Sequence, residues 1–564
     1  MSRHFAIAVY LITAVFFGCF FLWPIWQILR GAFFDANNHF TIGYIVEVFR
    51  NPIYVEGLIN SFWLALCATS LAMLIAVPLA WMADRYEFPG KKLFMATVLL
   101  PIMLPPFVGA IGVKQIFGAY GAFNAVLQKV GLLGADQTID WLGRGQFMGV
   151  VVVVALGLYP ILYLNALAAL SNIDPAMEEA AENLGCKGWK RFLKITLPLM
   201  RPGLFAGGTI VFIWSFTELG VPLIFDYTRL ASVQIFYSIK EIGASPFPYA
   251  LVSVMLFCAV LIYATGKGLF GRDTHAMMAK AGHAGGPKKP KAWLATVCFL
   301  SFLGISLLAL LPHLGVILIS FSSDWFHSIL PQRWTLENFE LALGHGLTIS
   351  SIQNSLVYAG LATCVNVALG VAIAYVVVRT KLPGRNVLDA MAMLPLAVPG
   401  LVMAFGYLAM TQSGKLFSAL NPVDNPLPLL VIAYSIRKLP FVVRSAVAGL
   451  QQTSVTYEEA AQNLGCSPFK TTLKITLPLI AASLVAGAIL AFAQSMLEVS
   501  DSIILAQKAQ YYPITKAIYE LMQFIGDGRF LASALGVWAM AFLALTIISA
   551  SLLLGKKLGS IFRV

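Results

Sequence analysis

The residues of this chain best suited to chemistry are charges set inside apolar runs. Glu218 and Glu498 lie 280 positions apart (498 − 218), each 20 residues past a Leu-Pro step, at Pro198 and Pro478. A carboxylate within a membrane-spanning run costs roughly 2.5–3.5 kcal/mol on insertion scales, so it either faces a cavity or partner or reaches headgroup water. Arg437, Lys438 and Arg444 lie in another apolar run, where the positions 280 earlier hold Gly157, Leu158 and Leu164. Such cations either line a route for an anionic solute or snorkel to the headgroups. Handling a charged solute is the chemistry these groups offer. No nucleophile–base set accompanies them, the seven His have no ligand spacing, and the seven Cys form no CxxC pair. We therefore assign no metal site, no cofactor and no catalytic residue.

The elements that must position these charges are membrane spans. Only 11% of the 564 residues are charged and 59% are hydrophobic, against roughly a quarter charged in soluble domains. The apolar runs have the roughly 20-residue length of a spanning helix, well beyond the strands of a membrane β-barrel. The fold class expected is all-α polytopic, with twelve transmembrane helices. Six spans fall near 7–29, 60–82, 93–118, 147–170, 200–225 and 249–270. Six more fall near 293–320, 354–378, 388–411, 427–450, 478–505 and 533–555. The run after Arg3 is too long for a signal peptide and lacks a cleavage site, so it reads as the first span. Prolines 101, 105, 106, 395 and 399 kink the third and ninth spans.

The two sets repeat one another. Asn60-Ser61 recurs at Asn354-Ser355 and Pro89-Gly90 at Pro383-Gly384, both at an offset of 294. Residues 1–270 thus form one six-span unit and 293–564 a second, joined by a polar, basic, glycine-rich linker at 271–292. With the N-terminus inside, inside segments hold 23 Lys and Arg and outside segments 11. By the positive-inside rule both termini and the linker are cytoplasmic. The net charge of +12 sits mainly in these short loops, so membrane lipid is the expected contact and nucleic acid is not. Glu218 and Glu498 then lie near the periplasmic ends of their spans, where they would flank a gate.

The strongest repeat is polar. Glu178-Glu179-Ala180-Ala181-Glu182-Asn183-Leu184-Gly185, with Ile195-Thr196-Leu197-Pro198 after it, recurs as Glu458-Glu459-Ala460-Ala461-Gln462-Asn463-Leu464-Gly465 and Ile475-Thr476-Leu477-Pro478. Pro175 suits a first helical turn, the early glutamates suit the positive end of the helix dipole, and alanine propagates the helix. Gly185 and Gly465 let the chain turn. A helix–turn–helix at the cytoplasmic face, kept twice in register, is a docking surface used twice.

These two loops, 175–198 and 455–478, resemble the EAA motif of ABC importer inner-membrane permeases at every position. Glu179-Ala180-Ala181 with Gly185, and Glu459-Ala460-Ala461 with Gly465, carry it. The resemblance implies coupling helices seated on two copies of a separate ATPase, with a periplasmic solute-binding protein delivering the substrate to a bacterial inner membrane. The chain has no Gly-x-x-x-x-Gly-Lys-[Ser/Thr] phosphate loop, so ATP hydrolysis belongs to the partner. The fused twelve-span form is similar to ferric-iron permeases and their relatives for 2-aminoethylphosphonate, thiamine and polyamines. Phe216 to Tyr227, Pro246 to Leu251 and Glu498 to Ser502 resemble the aminoethylphosphonate branch, with ferric iron the alternative. A competing class, the ion-coupled secondary transporter, would show coupling carboxylates at mid-membrane and no docking loop. Under any of these readings Glu218, Glu498, Arg437 and Lys438 are the candidates for the translocation path.

Overall fold

The computed structural model describes residues 3–270 and 289–554, apart from Ala36, Leu104, Arg144, Gly145 and Gly243. The expected linker lies almost wholly outside the described residues. Among those described, nine helices are long and apolar enough to cross a membrane, and two bent helix pairs raise the number to eleven. The expected twelve is corrected to that extent. The span expected at 427–450 is present as the helix Leu427–Gln452, but Arg437, Lys438 and Arg444 interrupt its apolar run. The expected third and ninth spans are the bent pairs. Lys91–Ile102 meets Pro106–Lys129 at 96°, and Arg385–Leu396 meets Gly400–Met410 at 97°. At the corners Pro105 and Pro399 are extended, with ψ of 117° and 137°, and a proline has no N–H to carry a helix through. The strands among the described residues are one short antiparallel pair, Ser322–Asp324 with Arg333–Trp334.

Each half is built on three packed helices. In the first they are Pro52–Arg85, Phe147–Ser171 and Leu197–Phe216; in the second, Thr348–Arg379, Leu427–Gln452 and Leu477–Met496. Ala65, Ala68, Ala72 and Ala76 form one fully buried stripe on Pro52–Arg85. Such small residues let helix backbones approach closely, which is the main source of cohesion between helices in lipid.

The two halves interlock through their first helices. Trp23–Phe33 packs on Gly400–Met410 of the second half, and Ala292–Ser320 packs on Pro106–Phe117 of the first. A glycine makes each crossing possible. A Cβ on Gly112 would strike the backbone from Pro312 to Val316, and one on Gly406 would strike Pro24 and Ile28.

The repeated Asn-Ser pairs act at the end of the bundle away from the EAA loops. Ser61 Oγ accepts from the Ala231 N–H at 3.1 Å, and Ser355 Oγ from the Ile514 N–H at 2.7 Å. The Asn60 amide donates to Arg229 O at 3.0 Å and that of Asn354 to Gln510 O at 2.9 Å. These bonds fasten the starts of two short helices, Ala231–Ser238 and Ile514–Met522.

Candidate functional site

Both glutamates sit where a helix is broken. The sequence suggested continuous spans at 200–225 and 478–505. Instead Leu197–Phe216 stops and the chain restarts at Gly220–Ile224, and Leu477–Met496 stops before Ser500–Leu505. Glu218 and Glu498 occupy the two links. Each link is held from the short helices described above. Ser232 Oγ donates to Glu218 O at 2.6 Å, and Thr515 Oγ1 donates to Glu498 O at 2.8 Å. The Asn-Ser repeat is therefore the base of a chain of hydrogen bonds that ends at these glutamates. Broken backbone at membrane depth is tolerated only inside protein or beside a polar cavity.

A cavity of about 160 Å³ is present here, lined by Glu218 and Glu498, by Pro101 and Pro395, and by Arg437 and Lys438. Both halves contribute to its wall. Glu498 is only 6% exposed, which removes the interfacial reading in which it reaches headgroup water.

The snorkelling reading also fails for Arg437 and Lys438, which lie inside an ion cluster. Arg437 bonds to Glu498 and, at 3.2 Å, to Asp501 Oδ2, while Lys438 Nζ donates to Glu498 Oε2 at 2.7 Å. Two cations thus meet two carboxylates, and the cluster carries no net formal charge. Arg444 is different. It is more than half exposed and reaches Asp389 at 3.3 Å. The sequence gives no signal for Asp501, because its counterpart is Val221 and a comparison of the repeats passes over unmatched residues.

Glu218 has no such cluster. Its carboxylate accepts from the Val221 N–H at 3.1 Å, and no cation pairs with it among the described residues. Packing explains how one half admits the cluster. In the first half a Cβ at Gly157 would press on the ring of Pro106, 3.0 Å away; in the second, a Cβ at Gly400 would run into the Arg437 guanidinium. Pro106 corresponds to Gly400 (offset 294) and Gly157 to Arg437 (offset 280). The bulky partner has changed sides.

The two EAA loops are near copies. Pro175–Asn183 is capped by Asp174, which accepts from the Ala176 N–H at 2.9 Å, and Thr456–Asn463 is the matching helix. Gly185 and Gly465 have φ of 83° and 86°, a left-handed conformation open to glycine at little cost. The Cys186 N–H then reaches back to Ala181 O, and Cys466 to Ala461 O, closing each helix with a Schellman turn. Glu179, Ala180, Glu459 and Ala460 face outward, while Ala181 is buried and Ala461 half-buried. Leu184 and Leu464 project at 87% and 89% exposure.

Glu178 and Glu458, left out of the candidate set, face inward. Glu178 pairs with Arg85 and accepts from Thr196 Oγ1 at 2.6 Å. Glu458 takes Arg379 Nε at 3.0 Å and the Tyr375 hydroxyl at 3.1 Å. Arg85 and Arg379 end the spans Pro52–Arg85 and Thr348–Arg379, so each loop helix is tied to a core helix. Burial raises the Glu178 carboxyl, but the bonds from Arg85 and Thr196 and the nearby positive charges outweigh it and hold it below its ordinary value. After each loop, Phe192–Thr196 and Thr472–Thr476 form a π-turn. Pro198 and Pro478 follow at once, and having no N–H they cannot continue the α-helical ladder there.

These features recur in known transport proteins. The chain is similar to a putative ferric transport system permease protein of Haemophilus influenzae, 28% identical over 88% of this chain and 77% of that one. It is 27% identical to a ferric transport system permease protein of Actinobacillus pleuropneumoniae over 88% and 70% of the two chains. The sulfate transport system permease protein of Escherichia coli is 29% identical over 38% of this chain and 76% of its own. The model of the family "binding-protein-dependent transport system inner membrane component" matches twice, at residues 72–276 and 366–557, and the chain belongs to that family.

Proposed function

We propose that this chain alone forms the pore of an ABC importer for ferric iron. The family makes it a multi-pass permease of the inner membrane that works with an ATPase and a periplasmic binding protein. The observation that carries the finer reading is the pair of outward-facing loop helices, each tied by an arginine to a core span, with an ion-lined cavity between the halves. Two such loops in one chain call for two ATPase subunits. Glu179, Ala180, Ala181 and Gly185 with Glu459, Ala460, Ala461 and Gly465 form the docking surfaces. The Lys and Arg distribution supports cytoplasmic loops and termini. ATP-driven closure of the ATPases would be relayed through Arg85 and Arg379 to the core spans and so to the cavity.

Ferric iron as the substrate is supported by the printed names of relatives that match along both halves. 2-Aminoethylphosphonate is the second reading, favoured by the local wording of 216–227, 246–251 and 498–502. Against it, the two cations on the cavity wall are already neutralised by Glu498 and Asp501.

The test is a deletion strain grown under chelator-induced iron limitation and, separately, on 2-aminoethylphosphonate as sole phosphorus source. A defect confined to iron limitation is expected. A defect confined to the phosphonate would replace ferric iron with that substrate. Co-purification of an ATPase at two copies per chain checks the partner stoichiometry.

A further inference from the structure

We propose that Glu218 is the cargo-contacting carboxylate of the translocation path, and that Glu498, its counterpart by sequence repeat, is a structural residue that does not contact cargo. This rests on the reading of the cargo as a metal cation. The two glutamates occupy equivalent links and line the same cavity, but their surroundings differ. Glu498 spends both carboxylate oxygens on cations, Oε1 on Arg437 and Oε2 on Lys438, and Asp501 completes the neutral cluster. Its charge is not available to a solute.

Glu218 is held only by backbone donors. The Val221 N–H lies 3.1 Å from its Oε1, and among the described residues no Lys, Arg or His forms an ion pair with it. The positions that supply cations in the second half are Gly157 and Leu158 in the first. The cavity wall therefore carries one carboxyl group with no cationic partner among the described residues, set among polar neighbours that include Thr217, Gln494 and Ser500. A half-buried, unpaired carboxylate beside a cavity favours a passing cation. A single carboxylate on one wall is also suited to transient contact, since conduction needs a site strong enough to admit the ion and weak enough to release it.

The experiment is uptake of radiolabelled ferric citrate by deletion cells carrying plasmid-borne wild-type or variant protein, with each variant's membrane level measured by immunoblot. Glu218→Gln keeps the acceptor for Val221 and removes the charge. Uptake per molecule is expected to fall about tenfold or more, the weight of one charge-assisted contact, and Glu218→Asp to restore most of it. Leu158→Lys, which copies the second half by placing a cation beside Glu218, is expected to cause a similar loss with the glutamate intact. Wild-type uptake per molecule in Glu218→Gln, at normal membrane level, would overturn the assignment while leaving the iron reading standing. If wild-type cells take up no more iron than the deletion strain, the substrate reading falls and this assignment falls with it.

Discussion

At an offset of 280, Gly157, Leu158, Glu218 and Val221 of the first half correspond to Arg437, Lys438, Glu498 and Asp501 of the second. One half holds a lone carboxylate beside small and apolar residues. The other holds the same carboxylate inside a closed ion cluster. The backbones match down to the Ser232 and Thr515 hydroxyls that hold the two links. The difference therefore lies in side chains alone. A fused chain can diverge in this way, because each half is free to change where the other compensates. A pore made of two identical subunits would place the same residues on both walls.

The largest expected effect that sharpens this contrast comes from removing the charge of Glu498. In Glu498→Gln, Arg437 and Lys438 lose their shared partner in a buried site. Breaking a buried pair in this way costs roughly 3–5 kcal/mol. Thermal unfolding of the detergent-solubilised protein should show a clear drop, whereas Glu218→Gln should change stability by less than about 1 kcal/mol, having no cation to strand. Equal destabilisation of the two variants would break the comparison.

Next in size is Gly400→Val. The added side chain would meet the Arg437 guanidinium, and overpacking of this kind costs about 1–3 kcal/mol. The replacement Pro106→Gly in the first half, which only vacates space beside Gly157, should leave the first-half cavity wall in place. Fluorescence-detected chromatography of both variants after a heating series would measure the difference.

A smaller effect separates the two loop anchors. Arg379 bonds to Glu458 and also to Thr453, through O at 3.0 Å and Oγ1 at 2.9 Å. The Arg85 Nε is buried without a partner. Arg379→Gln should therefore weaken coupling more than Arg85→Gln, by about 1 kcal/mol or a few-fold, given what one hydrogen bond to a charged group contributes. Uptake per ATP hydrolysed in reconstituted vesicles would read this out.

The smallest effect is in pH. The Glu178 carboxyl sits below its ordinary value of 4.5, so it binds fewer protons folded than unfolded near that pH. Its contribution to stability is present above pH 4.5 and is lost as pH falls through the lower, folded value. Thr196→Val removes one of the bonds that lower it. The acid-induced loss should then be smaller and complete at a higher pH, visible in melting curves collected between neutral and acid conditions.

How much of this was legible beforehand depends on the range of the interaction. The EAA loops, the Asn-Ser pairs and the kinking prolines were visible because each is a local pattern written twice. The helix breaks at Glu218 and Glu498 were hidden because residues on both sides of each break are apolar, and hydropathy reads straight through. The pairing of Lys438 with Glu498 spans 60 residues, and the repeat counterpart of Asp501 is the apolar Val221, so neither periodicity nor repeat comparison could supply them. The inward face of Glu178 was missed for a related reason. Adjacent glutamates look alike in sequence, and only the position of Arg85, at the end of a distant span, tells them apart.

The exchange of first helices has a consequence for biosynthesis. Pro24 is seated against Gly406, which is translated 382 residues later (406 − 24). At roughly 5–20 residues per second, the first helix waits about 20–80 s after its own synthesis before its seat exists. During that interval it must be retained at the insertion machinery or stand alone in lipid, and the exposed Leu11, Ile12 and Val15 suit it to the second course. Neither half can mature before the other has been made. A gene divided at the 271–288 segment would therefore yield two chains that accumulate only when synthesised together.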